Sequence, residues 1–135
     1  MADKTFDIAQ LFEGRLAEFA SSQAISVAWE NLPFKPSDDV YLRVFLLPAD
    51  TGIFDVQGKA AIYRGIFQVN VVSPAGAGVT EARRIAASIA GWFPCDMKIS
   101  DGKTFAYING PPTTHAPIQG DTDFAIPISI NYHSA

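Results

Sequence analysis

Residues 63–78 read YRGIFQVNVVSPAGAG, a long alternating stretch that ends in a run of small residues. Apolar side chains in its first part alternate with Arg64, Gln68 and Asn70, and this two-residue period is typical of a half-buried β-strand. The pattern predicts a strand over 62–73 with one apolar face and one face of guanidinium and amide groups. Because the apolar face of a sheet must be covered by another layer, the rest of the chain has to supply that layer.

Two segments with helical spacing are suited to form the covering layer. In residues 5–20 and 79–93, apolar side chains recur at intervals of three and four, which predicts two amphipathic helices. Thr80 is the predicted N-cap of the second helix, and Pro94 ends it. Gly14 costs the first helix about 1 kcal/mol relative to alanine, so we expect packing to hold that helix in place. The predicted buried stripes are Ile8, Leu11, Phe12, Leu16 and Phe19, and Ala82, Ile85, Ala86, Ile89 and Phe93.

The remaining predicted strands lie on both sides of the second helix. Residues 25–29 and 40–48 are rich in β-forming residues, and the second segment is apolar at nearly every position, which indicates burial on both faces. Asp101-Gly102, between two β-prone runs, predicts a hairpin with a type I′ turn. The last predicted strand, the segment DFAIPISINY at 123–132, contains Pro127, which favours a sheet edge or a bulge. The segments predicted to be loops are 49–60 and 110–122.

The order of predicted elements is helix, three strands, helix, three strands. This order indicates the α+β class: a mainly antiparallel sheet of about five to six strands with both helices packed on one face. The chain has 135 residues and contains no internal repeat or linker, so we expect a single domain over residues 1–135.

The net charge and the single cysteine limit which functions and which compartment are expected for this chain. The formal net charge is −4 and the sequence pI is about 4.9, which argues against a surface devoted to nucleic acid. Cys95 is the single cysteine, so no disulfide forms within the chain and the cytoplasm is the expected compartment. The first residues, MADKTFDIAQ, lack the basic start and apolar stretch of a signal peptide. No apolar run reaches the ~20 residues of a membrane span.

Catalytic and metal-binding patterns are weak in this sequence. Cys95, His115 and His133 could supply a nucleophile and a base, but no G-x-S-x-G motif is present, and a buried cysteine after a helix more often acts as a small apolar residue. The two histidines, with Asp121 and Asp123 between them, lack the spacing of a metal site. The PAGAG run lacks the lysine and the spacing of a phosphate loop. These features favour a protein that is not an enzyme.

Residue types that are enriched in binding interfaces lie near the ends of the predicted elements. The aromatic candidates for an interface are Trp29, Phe34, Tyr63 and Trp92, and the basic candidates are Arg83 and Arg84. For each aromatic residue the alternative is a place in the core. For the two arginines the alternative is a solvated helix face.

Several motifs together resemble the phage tail-terminator-like family. The segments are VAWENLPFKP, YLRVFLLPA, YRGIFQVNVVSPAGAG, A-RIAASIAGWFP and DFAIPISINY, in matching order. The likeness covers about residues 6–133, and AWENLPF and the YRG-FQV-V pattern with its PAG-G ending are its most distinctive parts. Neither motif has a catalytic rationale, so the resemblance identifies a family and not a reaction.

The resemblance implies a structural role in the virion. Tail terminators are similar in fold to the tail completion protein of lambda-like long-tailed phages, and their subunits assemble as a hexameric ring. The ring caps the growing tail tube, stops its polymerisation and presents the surface to which the filled head attaches. No enzyme activity and no cofactor come with the family.

The resemblance also implies partners and a location. The expected partners are further copies of the chain, the tail tube protein and the head–tail connector, with no membrane and no specific nucleic acid. DNA is expected to pass through the lumen of the ring. The expected location is the virion tail, after assembly in the host cytoplasm.

The polar face of the strand over 62–73 then has two interpretations. Arg64, Gln68 and Asn70, together with Arg43, contact a neighbouring subunit or line the lumen; alternatively, they form a solvated sheet face. Two other functions stay open at this point. The chain could be another head–tail connector or tail tube component, or, more distantly, a small hydrolase or nucleic-acid-binding domain.

Overall fold

The computed structural model describes residues 5–30, 39–49, 52–53, 61–74, 76, 79–120 and 122–134. Two helices and a large sheet confirm the predicted α+β class. In chain order the elements are α1 (Thr5–Gln23), β1 (Ser26–Ala28), β2 (Tyr41–Pro48), β3 (Gly52–Ile53), β4 (Ala61–Pro74), α2 (Thr80–Trp92), β5 (Lys98–Ser100), β6 (Phe105–Ile108), β7 (Thr113–Thr114), β8 (Ile118–Gln119) and β9 (Asp123–Ser134).

The sheet is mixed, with the order β1-β2-β4-β9-β6-β5. Strand β1 runs parallel to β2, whereas the other described strand pairs are antiparallel. The six strands that the sequence predicts are present, and the described chain adds three short ones. These are β3, β7 and β8, which pair with the long central strands β4 and β9 inside segments predicted to be loops.

Strand β9 lies in the middle of the sheet, so the prediction that Pro127 marks an edge strand or a bulge is wrong. β9 pairs with β4 in unbroken register on one side and with β6, β7 and β8 in succession on the other. The Pro127 carbonyl accepts a hydrogen bond from the His115 N–H at 2.8 Å. In an antiparallel strand the N–H and C=O of one residue face the same side, so the donor that proline lacks would also face His115. β7 ends at Thr114, just before His115. Because the strand beside Pro127 stops at this point, the missing N–H of the proline breaks no continuous ladder of hydrogen bonds.

Both helices pack on the apolar face of the sheet, as predicted. Phe67, Val69 and Val71 of β4 are buried against them. The Phe12 ring of α1 stacks on Phe67 with 5.1 Å between ring centroids and lies 6.1 Å from Phe93. Full burial of such a side chain stabilises a fold by about 1.5–3 kcal/mol, so this layer holds the helices on the sheet. The predicted stripes of both helices are buried throughout: Ile8, Leu11, Phe12, Leu16, Phe19, Ala82, Ile85, Ala86, Ile89 and Phe93.

The two helices are also joined by reciprocal hydrogen bonds between Arg15 and Trp92, hereafter the Arg15–Trp92 clasp. The guanidinium donates to the Trp92 carbonyl from Nε at 2.9 Å and from Nη2 at 2.7 Å. Trp92 Nε1 donates in return to the Arg15 carbonyl at 2.9 Å. The last turn of α2 has no basic residue of its own, so an arginine from α1 supplies the positive charge that helix C-termini favour.

Two local predictions about caps and turns are wrong. Val79, not Thr80, is the N-cap of α2, and it makes no side-chain capping bond. The β5–β6 hairpin forms, but its connection is the four-residue loop 101–104 instead of a two-residue turn. In the Asp101-Gly102 pair only Gly102 has a positive φ, 93°, whereas a type I′ turn needs positive φ at both residues.

Two predictions about burial are also wrong. Cys95 is exposed and does not fill the core. Strand β2 is buried on both faces only where Tyr41 and Leu42 adjoin β1; farther along, Leu47 is 48% exposed. The reason is that β1 pairs with only the first three residues of β2.

Candidate subunit interface

The face of the sheet opposite the helices, hereafter the open face, carries the polar side chains of β4. Paired residues of a sheet share a face, and the register pairs Arg43 with Asn70 and Arg64 with His133. Gln68 lies between these two rows on the same face. Arg43 and Arg64 are exposed, and the two amides are half-buried. The structure therefore brings all four residues of the predicted interface onto one surface.

The amide part of the open face is ordered by contacts within the sheet. Gln68 Nε2 donates to Asn70 Oδ1 at 3.1 Å. Arg43 Nη2 donates to the Tyr41 hydroxyl at 3.2 Å, and its guanidinium carbon lies 5.8 Å from the centre of that ring. These contacts give Gln68, Asn70 and Arg43 partners within the sheet.

At one end of the open face, four strands bring cationic and aromatic groups into one row, hereafter the basic row. Its members are Lys98, Tyr107, His133 and Arg64, which pair in that order across β5, β6, β9 and β4. The Tyr107 and His133 rings stack with 5.2 Å between centroids, and His133 Nδ1 is hydrogen-bonded to Asn109 Oδ1. Lys98 Nζ lies 6.0 Å from the centre of the Tyr107 ring.

The charges of the basic row have no acidic partner in the part of the chain that the structure describes. There, the ion pair that forms is Arg84 with Glu81 on α2. Sequence reasoning identified Arg64 but missed Lys98, Tyr107 and His133. Their strands were predicted, but the register that aligns them was not, because it is set by pairing between segments far apart in the chain.

The other predicted interface residues are spread over the molecule. Trp29, Tyr63 and Trp92 are half-buried and pack against the core. Arg83 is exposed on α2, beside a cleft of about 460 Å³ between that helix and residues 114–117. Arg84 bonds Glu81 at 2.6 Å, and this lowers the pKa of the glutamate. Phe34 lies outside the described residues.

A groove of about 430 Å³ lies between α1 and the end of β1, hereafter the α1–β1 groove. It was not predicted, because its walls come from separate elements. Burial raises the pKa of Glu13, and the nearby charge of Glu30 adds to the effect. The Glu30 carboxylate also accepts the Leu46 N–H of β2. The residues that line the groove are Gln10, Glu13, Gly14, Ala17, Trp29 and Glu30.

In the described chain the two histidines are hydrogen-bonded to a serine and to an amide. His115 Nε2 is hydrogen-bonded to Ser129 Oγ at 2.8 Å, and the partner of His133 is an amide and not a carboxylate. A Ser-His-Asp arrangement needs a carboxylate to orient the imidazole, so neither histidine has that geometry. Within the described ranges, no three His, Cys, Asp or Glu side chains are grouped to hold a metal ion.

Neither described helix combines the length and the apolar character needed to cross a lipid bilayer.

Comparisons with known proteins identify similar chains. Residues 7–132 match the family model described as "Phage tail terminator protein". A solved structure is similar to this chain with a TM-score of 0.81 and 37% sequence identity, covering 95% of this chain and 93% of that one. No curated protein matches the chain. The family model therefore matches almost the whole chain of 135 residues.

Proposed function

Because this chain belongs to the phage tail terminator family, we propose that its copies form a ring that caps the tail tube. In this proposal the ring stops polymerisation of the tube and presents the surface to which the filled head attaches. The family consists of structural proteins of the phage tail, so a role in tail assembly follows from membership itself. What we propose beyond this role is the ring, the contacts within it and the surface to which the head attaches.

The observation that carries the proposal is the family match over residues 7–132. The open face supports it. A ring needs head-to-tail contacts between two different surfaces of each copy, closed by rotation. The molecule has one side formed by helices and another formed by the open face, which carries Arg43, Arg64, Gln68 and Asn70. We propose that these four residues meet a neighbouring copy or line the lumen.

The proposed partners are further copies of the chain, the tail tube protein and the head–tail connector. The formal net charge of −4 suits a lumen through which DNA passes without being held, since tight binding to phosphates needs cationic partners. We propose that the segment 110–122 contacts the tube or the connector, and the exposure of His115 and Ile118 supports this.

The test is to measure molar mass by light scattering over a concentration series, with negative-stain images, alone and with purified tail tubes. We expect hexamer-sized rings in solution or caps on tube ends. Filaments of this chain alone would assign it to the tube instead. Failure to form rings and also to bind and cap tubes would overturn the proposal.

Arg64→Glu is expected to weaken ring formation, because it replaces a positive charge of the proposed contact surface with a negative one. The subunit should stay folded, since Arg64 is exposed and its side chain makes no described hydrogen bond or ion pair. The same light-scattering series, with circular dichroism as the check on folding, measures both effects. Lys103→Glu, an equal change of charge in the exposed 101–104 loop, is the control. Assembly of the Arg64 variant at wild-type concentrations would contradict the assignment.

A further inference from the structure

The α1–β1 groove has features that the fold of one subunit does not require. Glu13, which is half-buried, and Glu30, which is exposed, both line the groove, and within the described chain neither forms an ion pair. A neighbouring like charge disfavours the ionised form of each carboxylate, and a cation between the two would favour it. Glu30 bonds the Leu46 N–H through one carboxylate oxygen, which leaves the other available.

Gly14 gives a second, independent indication. It lies in the interior of α1, where glycine costs about 1 kcal/mol relative to alanine. A Cβ at this position would meet no atom within 4 Å, so internal packing does not demand glycine there. Gly65 differs, because a Cβ there would lie 2.5 Å from the Leu47 carbonyl oxygen. A missing side chain at Gly14 instead keeps the wall of the groove open to something from outside.

The chemistry of the groove suits a long basic side chain. Its walls supply two carboxylates and the side-chain amide of Gln10 as hydrogen-bond acceptors. Trp29 lines the same space, and the face of a tryptophan ring attracts a guanidinium more strongly than other aromatic faces do. Arginine combines a planar fork that fits carboxylates with a flat surface that stacks on aromatic rings.

The open face of a second copy offers a matching group. Arg64 is exposed there, beside His133 of the basic row, with no acidic partner in the described residues. α1 packs on the opposite side of the sheet, so the groove and Arg64 belong to different sides of one subunit. That is the arrangement required for contacts that run in one direction around a ring.

We propose that the α1–β1 groove of one copy receives Arg64 from the open face of the next copy, with its guanidinium between Glu13 and Glu30 and beside Trp29. This proposal rests on the ring function proposed above and assigns the two surfaces that meet.

The test is a charge exchange between copies. Glu13→Arg alone sets two arginines against each other at every contact, and Arg64→Glu alone sets acidic groups together. Each is expected to raise the concentration for half-assembly, or for capping of purified tail tubes, by at least about tenfold. In an equimolar mixture of the two variants, copies that alternate around an even-numbered ring have opposite charges at every contact. We expect the mixture to assemble within about threefold of the wild-type concentration.

A second pair of variants tests the groove without a change of charge. Gly14→Gln and Gly91→Gln both place a good helix former at an exposed helical glycine whose Cβ would meet no atom within 4 Å. Both should remain folded, with urea midpoints no lower than that of the wild type. The Gly14 variant alone is expected to block assembly, because its side chain fills the groove.

The outcomes separate this proposal from the one on which it rests. If the wild type neither forms rings nor caps tubes, the ring function fails and this contact fails with it. If wild-type rings or caps form and Glu13→Arg and Gly14→Gln assemble normally, the ring stands and the groove contact is overturned. An equimolar mixture that stays unassembled would also overturn it, as would an effect confined to Arg64→Glu.

Discussion

At the scale of single residues, Gly65 marks the closest approach between two strands. A Cβ there would lie 2.5 Å from the Leu47 carbonyl oxygen, 2.8 Å from the Tyr132 hydroxyl and 2.9 Å from the Pro48 Cα. Two of these three atoms belong to the backbone and cannot rotate away. The alternating pattern of the sequence includes this glycine but does not reveal what it adjoins, because β2 approaches it from a distant part of the chain.

Gly65→Ala is therefore expected to destabilise the subunit by about 1–3 kcal/mol, the usual range for an added methyl group in a tightly packed site. The free energy of unfolding in urea measures the effect. Gly91→Ala is the matched control, because its Cβ would meet no atom within 4 Å and should leave stability unchanged or slightly higher. An equally stable Gly65 variant would contradict the close approach.

Arg15 gives a second prediction at this scale. Arg15→Met keeps much of the side-chain volume but removes the guanidinium that holds the Trp92 carbonyl. Hydrogen bonds from charged donors contribute about 1.5–3 kcal/mol, so we expect a loss of about that size in the free energy of unfolding. Tryptophan fluorescence during urea unfolding, to which Trp29 and Trp92 both contribute, measures the change in stability. Arg83→Met, on the exposed face of α2, should lose little; equal stability of the two variants would show that the clasp contributes nothing.

At the scale of elements, the sequence predicted what local patterns can encode. Period-two alternation predicted the strand 62–73, and intervals of three and four predicted both helices with their buried stripes. The short strands β7 and β8 have no such pattern, because they form only where β9 offers partners. The place of Pro127 was mispredicted for the same reason, since its tolerance depends on where β7 ends. Pairing between distant segments also decides the basic row, whereas the α1–β1 groove depends on how α1 packs beside the end of β1.

The contribution of the hairpin loop 101–104 to the stability of the fold is expected to depend on pH. The Asp101 carboxylate accepts the Thr104 N–H at 2.7 Å and the Lys103 N–H at 2.9 Å, and these bonds lower its pKa from the ordinary value of 3.8. A carboxylate whose pKa is lower in the folded than in the unfolded state stabilises the fold at pH values above its unfolded pKa. That contribution is lost as pH falls through the folded value.

Asp101→Asn is expected to flatten this part of the pH profile, because an amide keeps an acceptor oxygen but has no proton to gain. Urea midpoints from pH 7 down to below the ordinary aspartate value measure the slope for both proteins. The wild type should lose more stability than the variant over the acid range. Parallel profiles would contradict a role of this carboxylate in closing the loop.

At the scale of the whole molecule, the proposed ring contact depends on charge and should respond to salt. The distance over which salt screens charges, the Debye length, falls from about 10 Å at 0.1 M to about 3 Å at 1 M ionic strength. We expect the concentration for half-assembly to rise severalfold between these salt concentrations, measured by light scattering. The urea midpoint of the isolated subunit should change much less, because its core is apolar. Stronger assembly at high salt would indicate an apolar contact instead.

The edges of the sheet also limit how copies of the chain can pair with one another through their backbones. Its outermost strands, β1 and β5, have three residues each, and both sides of β9 are already occupied. Beyond the end of β1, the Glu30 carboxylate takes the Leu46 N–H that an incoming strand would use. The described sheet thus offers foreign backbone little to pair with. Copies of the subunit are therefore not expected to add to one another strand by strand into fibrils, and association between them is left to side chains.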